Sequence, residues 1–268
     1  MNWFHSGWRR DTPDHRDFAI ESTVAPKELP ASSDLRKYDS PVLNQGKTSA
    51  CTAHATDGVW TWYQLYKRGT YTPGSRAFIY WWARKYDGIT GDNGATLRSS
   101  ARTIANYGVP PENKWTFIPS HITKSPTQSV DALALKSRAT NYYRLDPAGT
   151  TPTTLLNTMK STLVTLPIMG GFTCYNSIFE VDTDGLVPLP KANEEPVGGH
   201  AIEFCGYDSL KKWLLFKNSW TPKWGDNGYG RLPEEYVTMG IVKDLWVVAG
   251  ESDITAAPAI NSIARVVS

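Results

Sequence analysis

Lys217-Asn218-Ser219-Trp220, followed by Trp224-Gly225-Asp226-Asn227-Gly228-Tyr229-Gly230, is the most informative stretch of the chain. It reads as a strand running into Asn218, a Gly- and Trp-rich loop, and a return as a strand. An Asn side-chain carbonyl at that place can accept a ring N–H and fix the tautomer of a histidine. A Trp beside it can shield that bond from water. Taken alone, the same residues also read as an ordinary turn with Asn in a left-handed conformation. The choice depends on what lies upstream.

Upstream stands Gly198-Gly199-His200-Ala201-Ile202-Glu203-Phe204. A His opens a strand directly after a flexible turn, which can bring the imidazole to a cleft edge; a hydrogen-bonded structural His is the plainer reading of this segment alone. Further back is Asn44-Gln45-Gly46-Lys47-Thr48-Ser49-Ala50-Cys51-Thr52-Ala53. It places Cys51 at the start of a helix, where free backbone N–H groups and the helix dipole stabilise a thiolate, the reactive form of the side chain. The plainer alternative is a small buried Cys that packs at a helix start.

Together the three segments resemble a papain-like cysteine peptidase. In that family a Gln-Gly precedes the Cys, a His-Ala opens a later strand, and Asn-Ser-Trp leads to Trp-Gly-x-x-Gly-Tyr. His200 and Asn218 follow Cys51 by roughly 150 residues or a little more, the family's order and approximate spacing. The resemblance covers about residues 34 to 250. It implies an α+β, two-lobe fold: a helical lobe (about 45–138) packed against an antiparallel β-barrel-like lobe (about 139–250), with the active site in the cleft between. It implies Cys51 as nucleophile, His200 as its proton partner, and Asn218 as the group that orients His200. The Cys51 backbone N–H and the Gln45 amide would form the oxyanion hole, and Gly94, Ala95, Gly199 and Trp220 would meet substrate. The partner is then a peptide or protein, and no metal or organic cofactor is required. A catalytically silent binding protein of the same fold, or a Cys–His acyltransferase or transglutaminase, are the rival readings.

Departures from the family pattern are specific. Thr48 stands where the family often has a disulfide Cys, Ser49-Ala50 replaces Gly-Ser, Thr52 replaces an aromatic, and Gly94-Ala95 replaces Gly-Gly. The lost disulfide fits a reducing compartment. Gly7-Trp8 and Asp14-His15-Arg16-Asp17-Phe18 resemble the short arm of prokaryotic-type members, which lack a long helical propeptide. The arm, residues 1–33, either straps across the back of the lobes or lies in the cleft as a built-in inhibitor.

Composition sets the outer bounds. Of 268 residues, 40% are hydrophobic and 20% charged, which excludes a disordered chain. The net charge of +2 gives no basis for nucleic acid or an anionic membrane as partner. Three Cys make no disulfide framework; Cys174 and Cys205 lie in strand-like runs and read as buried thiols. The first ten residues show no secretory leader and no run reaches a membrane span, so a cytoplasmic protein is the default expectation.

Periodicity supplies the elements. Ala55, Val59, Trp62, Tyr63 and Tyr66 share one face of a helix from near Cys51 to Gly69. A second helix starts after Ser75, buries Phe78, Ile79, Trp82 and Tyr86, and ends at Gly88. A third, capped by Thr96, buries Leu97, Ala101, Ile104 and Ala105 and stops at Gly108. Leu155, Leu156 and Met159 mark one more. Residues 163–172, 201–207, 213–217 and 245–248 read as strands, and the segment from Glu251 as a surface tail. His54, three residues after Cys51, is expected in the lobe interior rather than as a rival base. His5, His15 and His121 fall in coil without a partner, and Lys211-Lys212 in a solvated turn.

Overall fold

The computed structural model describes residues 6–20, 29–139 and 141–249. His5 and the segment from Glu251 lie outside them. The helices are α1 (Cys51–Arg68), α2 (Arg76–Asp87), α3 (Leu97–Asn106), α4 (Pro119–Ile122), α5 (Gln128–Ala134), α6 (Pro152–Leu163) and α7 (Glu235–Thr238). The strands are β1 (Trp8–Arg9), β2 (Ser32–Asp34), β3 (Ala95–Thr96), β4 (Asn141–Arg144), β5 (Ile168–Tyr175), β6 (Pro196–Asp208), β7 (Trp213–Lys217), β8 (Tyr229–Pro233) and β9 (Val242–Ala249). Seven strands form one antiparallel sheet in the order β4-β9-β5-β6-β7-β8, with β2 added to β6. The path is open rather than barrel-closed. A separate pair, β1 with β3, is parallel.

Local chemistry places the helices where expected. Ser75 accepts from Phe78 N and Thr96 from Ser99 N, each satisfying an orphan donor of its helix. Gly69 and Gly88 close α1 and α2 in the left-handed conformation.

The expected faces need correction. Every residue from Cys51 to Trp62 is buried, polar Thr52, Thr56 and Asp57 included, while Tyr66 is exposed. α1 therefore runs through the interior and packs on all sides over its first half, so one apolar stripe does not describe it. On α2, Tyr80 and Ala83 are buried, whereas Trp82 and Tyr86 are half-buried; Trp82 stacks on Tyr107 at 3.8 Å. Ala105 of α3 is likewise only half-buried. His121 is not in coil: it sits in α4, bonds the Thr116 carbonyl at 2.9 Å and stacks on Trp115.

Two large cores result. One lies between α6 and the sheet, built from Met159, Leu163, Phe172, Phe204, Phe216 and Leu245. The other joins α1, α2 and α3 to the sheet through Val59, Trp60, Ile79, Leu97, Met169 and Trp246. Cys174 and Cys205 are buried in β5 and β6. Among the described residues no helix is long and apolar enough to cross a membrane.

Candidate active site

Cys51 is the first residue of α1, and α1 packs against β6, which carries His200. The Cys51 thiol meets the backbone of Ala201, the residue after His200. β6 and β7 pair antiparallel, which returns the chain beside His200 at Asn218, just past the end of β7. His200 Nε2 and Asn218 Oδ1 are 2.8 Å apart. The Ser219 N–H also donates to Asn218 Oδ1, at 2.7 Å, so the amide faces the imidazole with its oxygen. Trp220 stacks on the His200 ring at 4.7 Å and 29°, and Phe179 and Trp224 pack on Trp220. The His–Asn bond is thus roofed by indole.

Gln45 is buried and held at both ends. Ser219 Oγ donates to its Oε1 at 2.6 Å, and its Nε2 donates to the Thr48 carbonyl at 2.8 Å. A primary amide has two N–H groups, so one remains for a further acceptor. His54 is turned away from this chemistry. Its Nδ1 bonds the Ala50 carbonyl at 2.9 Å and its ring meets Phe117 edge-on. Burial and the Arg76 charge push its pKa down to about 3, which keeps it neutral.

Ser6, Gly7 and Trp8 of the arm lie against the residues around Cys51. Gly7 N–H donates to the Gly199 carbonyl, and the Ala95 N–H donates to the Gly7 carbonyl at 2.9 Å. Ser6 Oγ accepts from Gly199 N–H at 2.9 Å. A Cβ on Gly7 would stand 2.2 Å from the Ser49 carbonyl oxygen and 2.8 Å from Cys51 Sγ, so only glycine fits there. Three of the residues that the resemblance assigned to substrate, Gly94, Ala95 and Gly199, meet the arm instead. The fourth, Trp220, lies on His200.

Burial sets the charge state of the pair. Burial pushes the Cys51 thiol up to about 12, against the pull of the Ala201, Thr52 and Gly7 backbones. Burial likewise pushes His200 down to about 4, although Asn218 favours its protonated form. With the arm docked, both groups are neutral.

Several contacts here have no local signal in the sequence. Asp92 accepts from Ser49 N–H and from Tyr80 Oη, which in turn accepts from Gly94 N–H, tying the Cys51 loop to the Gly94 segment. Trp8 lies against Gly171 and Gly199 and donates from Nε1 to Asp244 at 3.2 Å. Asp11 and Asp17 of the arm reach Arg144 and Arg98. These partners lie some 80 to 130 positions away in the chain, beyond the reach of local patterns.

A helix-start cysteine near a histidine held by an asparagine is the arrangement expected of a cysteine peptidase. The model for papain family cysteine proteases matches residues 29–248, and the chain belongs to that family. It is a cysteine-type peptidase. It is 30% identical to an uncharacterized peptidase C1-like protein of Acanthamoeba polyphaga mimivirus, across 96% of this chain and 89% of that one. Xylellain, a cysteine protease from Xylella fastidiosa, superposes with a TM-score of 0.80 at 29% identity, covering 91% of this chain and 96% of xylellain. Human cathepsin L2 is 26% identical over 78% of this chain, which spans 62% of that protein.

Proposed function

We propose that the chain hydrolyses peptide bonds through a thioester on Cys51, and that its own arm holds the cleft closed until displaced. The observation that carries this reading is Gly7 lying over Cys51 Sγ while the arm takes the backbone groups of Gly199 and Ala95. An extended peptide needs those same groups.

Displacing the arm lets water back to the pair and removes the burial that opposes both charges. The proton then passes from Cys51 Sγ to His200, giving thiolate and imidazolium. The sulfur attacks the peptide carbonyl, and the oxyanion is met by the Cys51 N–H and Gln45 Nε2. His200 gives its proton to the leaving amine as the C–N bond breaks. Water, deprotonated by His200, cleaves the thioester and returns the thiol. Asn218 holds the imidazole in one orientation throughout.

Four substitutions test the reading on a fluorogenic peptide. Cys51→Ala abolishes turnover with the fold intact by circular dichroism; retained turnover overturns the assignment. His200→Ala lowers kcat by about 10²–10⁴, while His54→Ala falls far short of that and lowers stability instead. Trp8→Ala in the full chain raises turnover, and raises the rate at which iodoacetamide labels Cys51 at pH 6. Unchanged labelling would show that the arm does not guard the thiol.

A further inference from the structure

Behind the His200–Asn218 pair lies a buried cluster that the reaction as derived does not use. Glu203 follows His200 by three residues on β6, and Lys217 immediately precedes Asn218 on β7. The two are register partners across the antiparallel ladder, with Lys217 Nζ and Glu203 Oε2 at 3.1 Å. Both are buried. Lys217 Nζ also donates to Ser40 Oγ at 3.0 Å. On the other side the pair abuts α1: a Cβ on Gly58 would lie 2.1 Å from Glu203 Oε2. One ion pair therefore touches or directly adjoins the three elements that carry Cys51, His200 and Asn218.

The same cluster borders a cavity of about 20 Å³, lined among others by Glu203, Lys217, Asn218, His54 and Asp57. That is room for one water molecule, which needs two to four polar partners. Asn218 Nδ2 is buried and meets no hydrogen-bond partner among the described residues. Its Oδ1 already serves His200 and Ser219. A buried amide N–H without a partner is costly, and a carboxylate across a water-sized gap is the acceptor that answers it.

We propose that Glu203, fixed by Lys217, is a positioning residue that holds the Asn218 amide through one water in this cavity, and so sets the His200 ring for proton transfer. The inference rests on the proposed catalytic roles of His200 and Asn218. It also accounts for a buried ion pair in a place where stability alone gives no reason to keep one, because well-packed apolar residues of similar volume are often as stable or more so.

The test uses that property. In the full-length chain carrying Trp8→Ala and Asp39→Asn, which leaves Lys217 and Glu203 as a balanced pair, Glu203→Leu and Lys217→Met are combined, so that no unpaired charge of the cluster is left inside. A merely structural pair predicts unchanged kcat and an equal or higher melting temperature. Positioning predicts a kcat at least about tenfold lower, with KM within about twofold, since binding groups are untouched. Asn218→Ala is made in the same background. If Glu203 acts through Asn218, adding the apolar pair to Asn218→Ala brings no further loss. Glu203→Gln, which keeps shape and Lys217's partner, stands in should the double variant not fold, and lowers kcat in the same sense. A kcat within twofold of the parent in a folded variant, or full additivity with Asn218→Ala, overturns the inference. If Asn218→Ala itself leaves kcat unchanged, the catalytic reading of Asn218 fails instead.

Discussion

Two buried ionic clusters flank the cleft, and they differ in what they join. Behind the site, Lys217 faces the buried Glu203 and the half-buried Asp39. At the arm, Arg144 faces Asp11, Asp17, Asp146 and Asp244, while Arg98 holds Asp17 through two bonds of 2.7 and 2.6 Å. Remove the arm and the second cluster keeps Arg98 and Arg144 with Asp146 and Asp244, two charges of each sign. The first cluster has no part that can leave without stranding a charge. On the proposed displacement of the arm, the same chemistry makes a permanent weld in one place and a separable latch in the other.

The weld breaks hardest. Lys217→Met alone leaves two carboxyls buried without their cation, and breaking such a pair from one side costs about 3–5 kcal/mol. Urea unfolding should show that loss, while the combined Asp39→Asn, Glu203→Leu, Lys217→Met variant, which removes both carboxylates with their cation, should recover most of it. The latch should give the opposite pattern. Asp17→Asn removes a charge-assisted contact to Arg98 worth about 1.5 kcal/mol, so turnover on a fluorogenic peptide rises by about tenfold. Body stability should move little, because Arg144 keeps Asp146 and Asp244. Equal activity in Asp17→Asn and the parent would mean that the latch does not limit opening.

These clusters also mark where the sequence stopped being legible. Cys51, His200, Asn218 and Gln45 could be read because each sits in a local pattern: a helix start, a Gly-Gly-His run, a strand end, a Gln-Gly turn; the expected turn before His200 is itself strand, since β6 begins at Pro196 and His200 lies inside it. The caps at Ser75 and Thr96 and the glycine stops at 69 and 88 are local in the same way. The placement of Gly7 over Cys51 is not local. It depends on a parallel pairing of Trp8 with Ala95 and a contact with Gly199 almost two hundred residues on. Arm residues 1–33 therefore supported a strap and a plug equally from sequence. The uniform burial of early α1 was hidden for a related reason: Thr52, Thr56 and Asp57 look like a solvent face until the sheet packs against them.

The smallest effect comes from protons at the latch. Docking brings two aspartates to a cluster already balanced, and the surplus charge appears at Asp11. Its carboxyl is buried and accepts from Trp246 Nε1 at 2.8 Å, and its backbone N–H donates to Asp244. Burial and the Asp244 charge, opposed by Arg98, Trp246 and Arg144, push its pKa up to about 7 from the usual 3.8. A free arm would have Asp11 ionised above pH 4, whereas the docked arm keeps the proton until about pH 7. Docking therefore takes up a proton between those values. The stabilisation from that proton is fully present below the free value and is lost as pH rises to the docked one, at a slope of less than about tenfold per pH unit. Cys51 labelling by iodoacetamide, corrected for the reagent's own pH dependence on a free thiol, should thus accelerate from pH 5 to pH 7.5. Asp11→Asn mimics the protonated carboxyl at every pH and should flatten that rise, leaving the slow acid-side rate throughout. A pH dependence surviving in Asp11→Asn would move the proton to another member of the cluster, Asp146, and leave Asp11 a spectator.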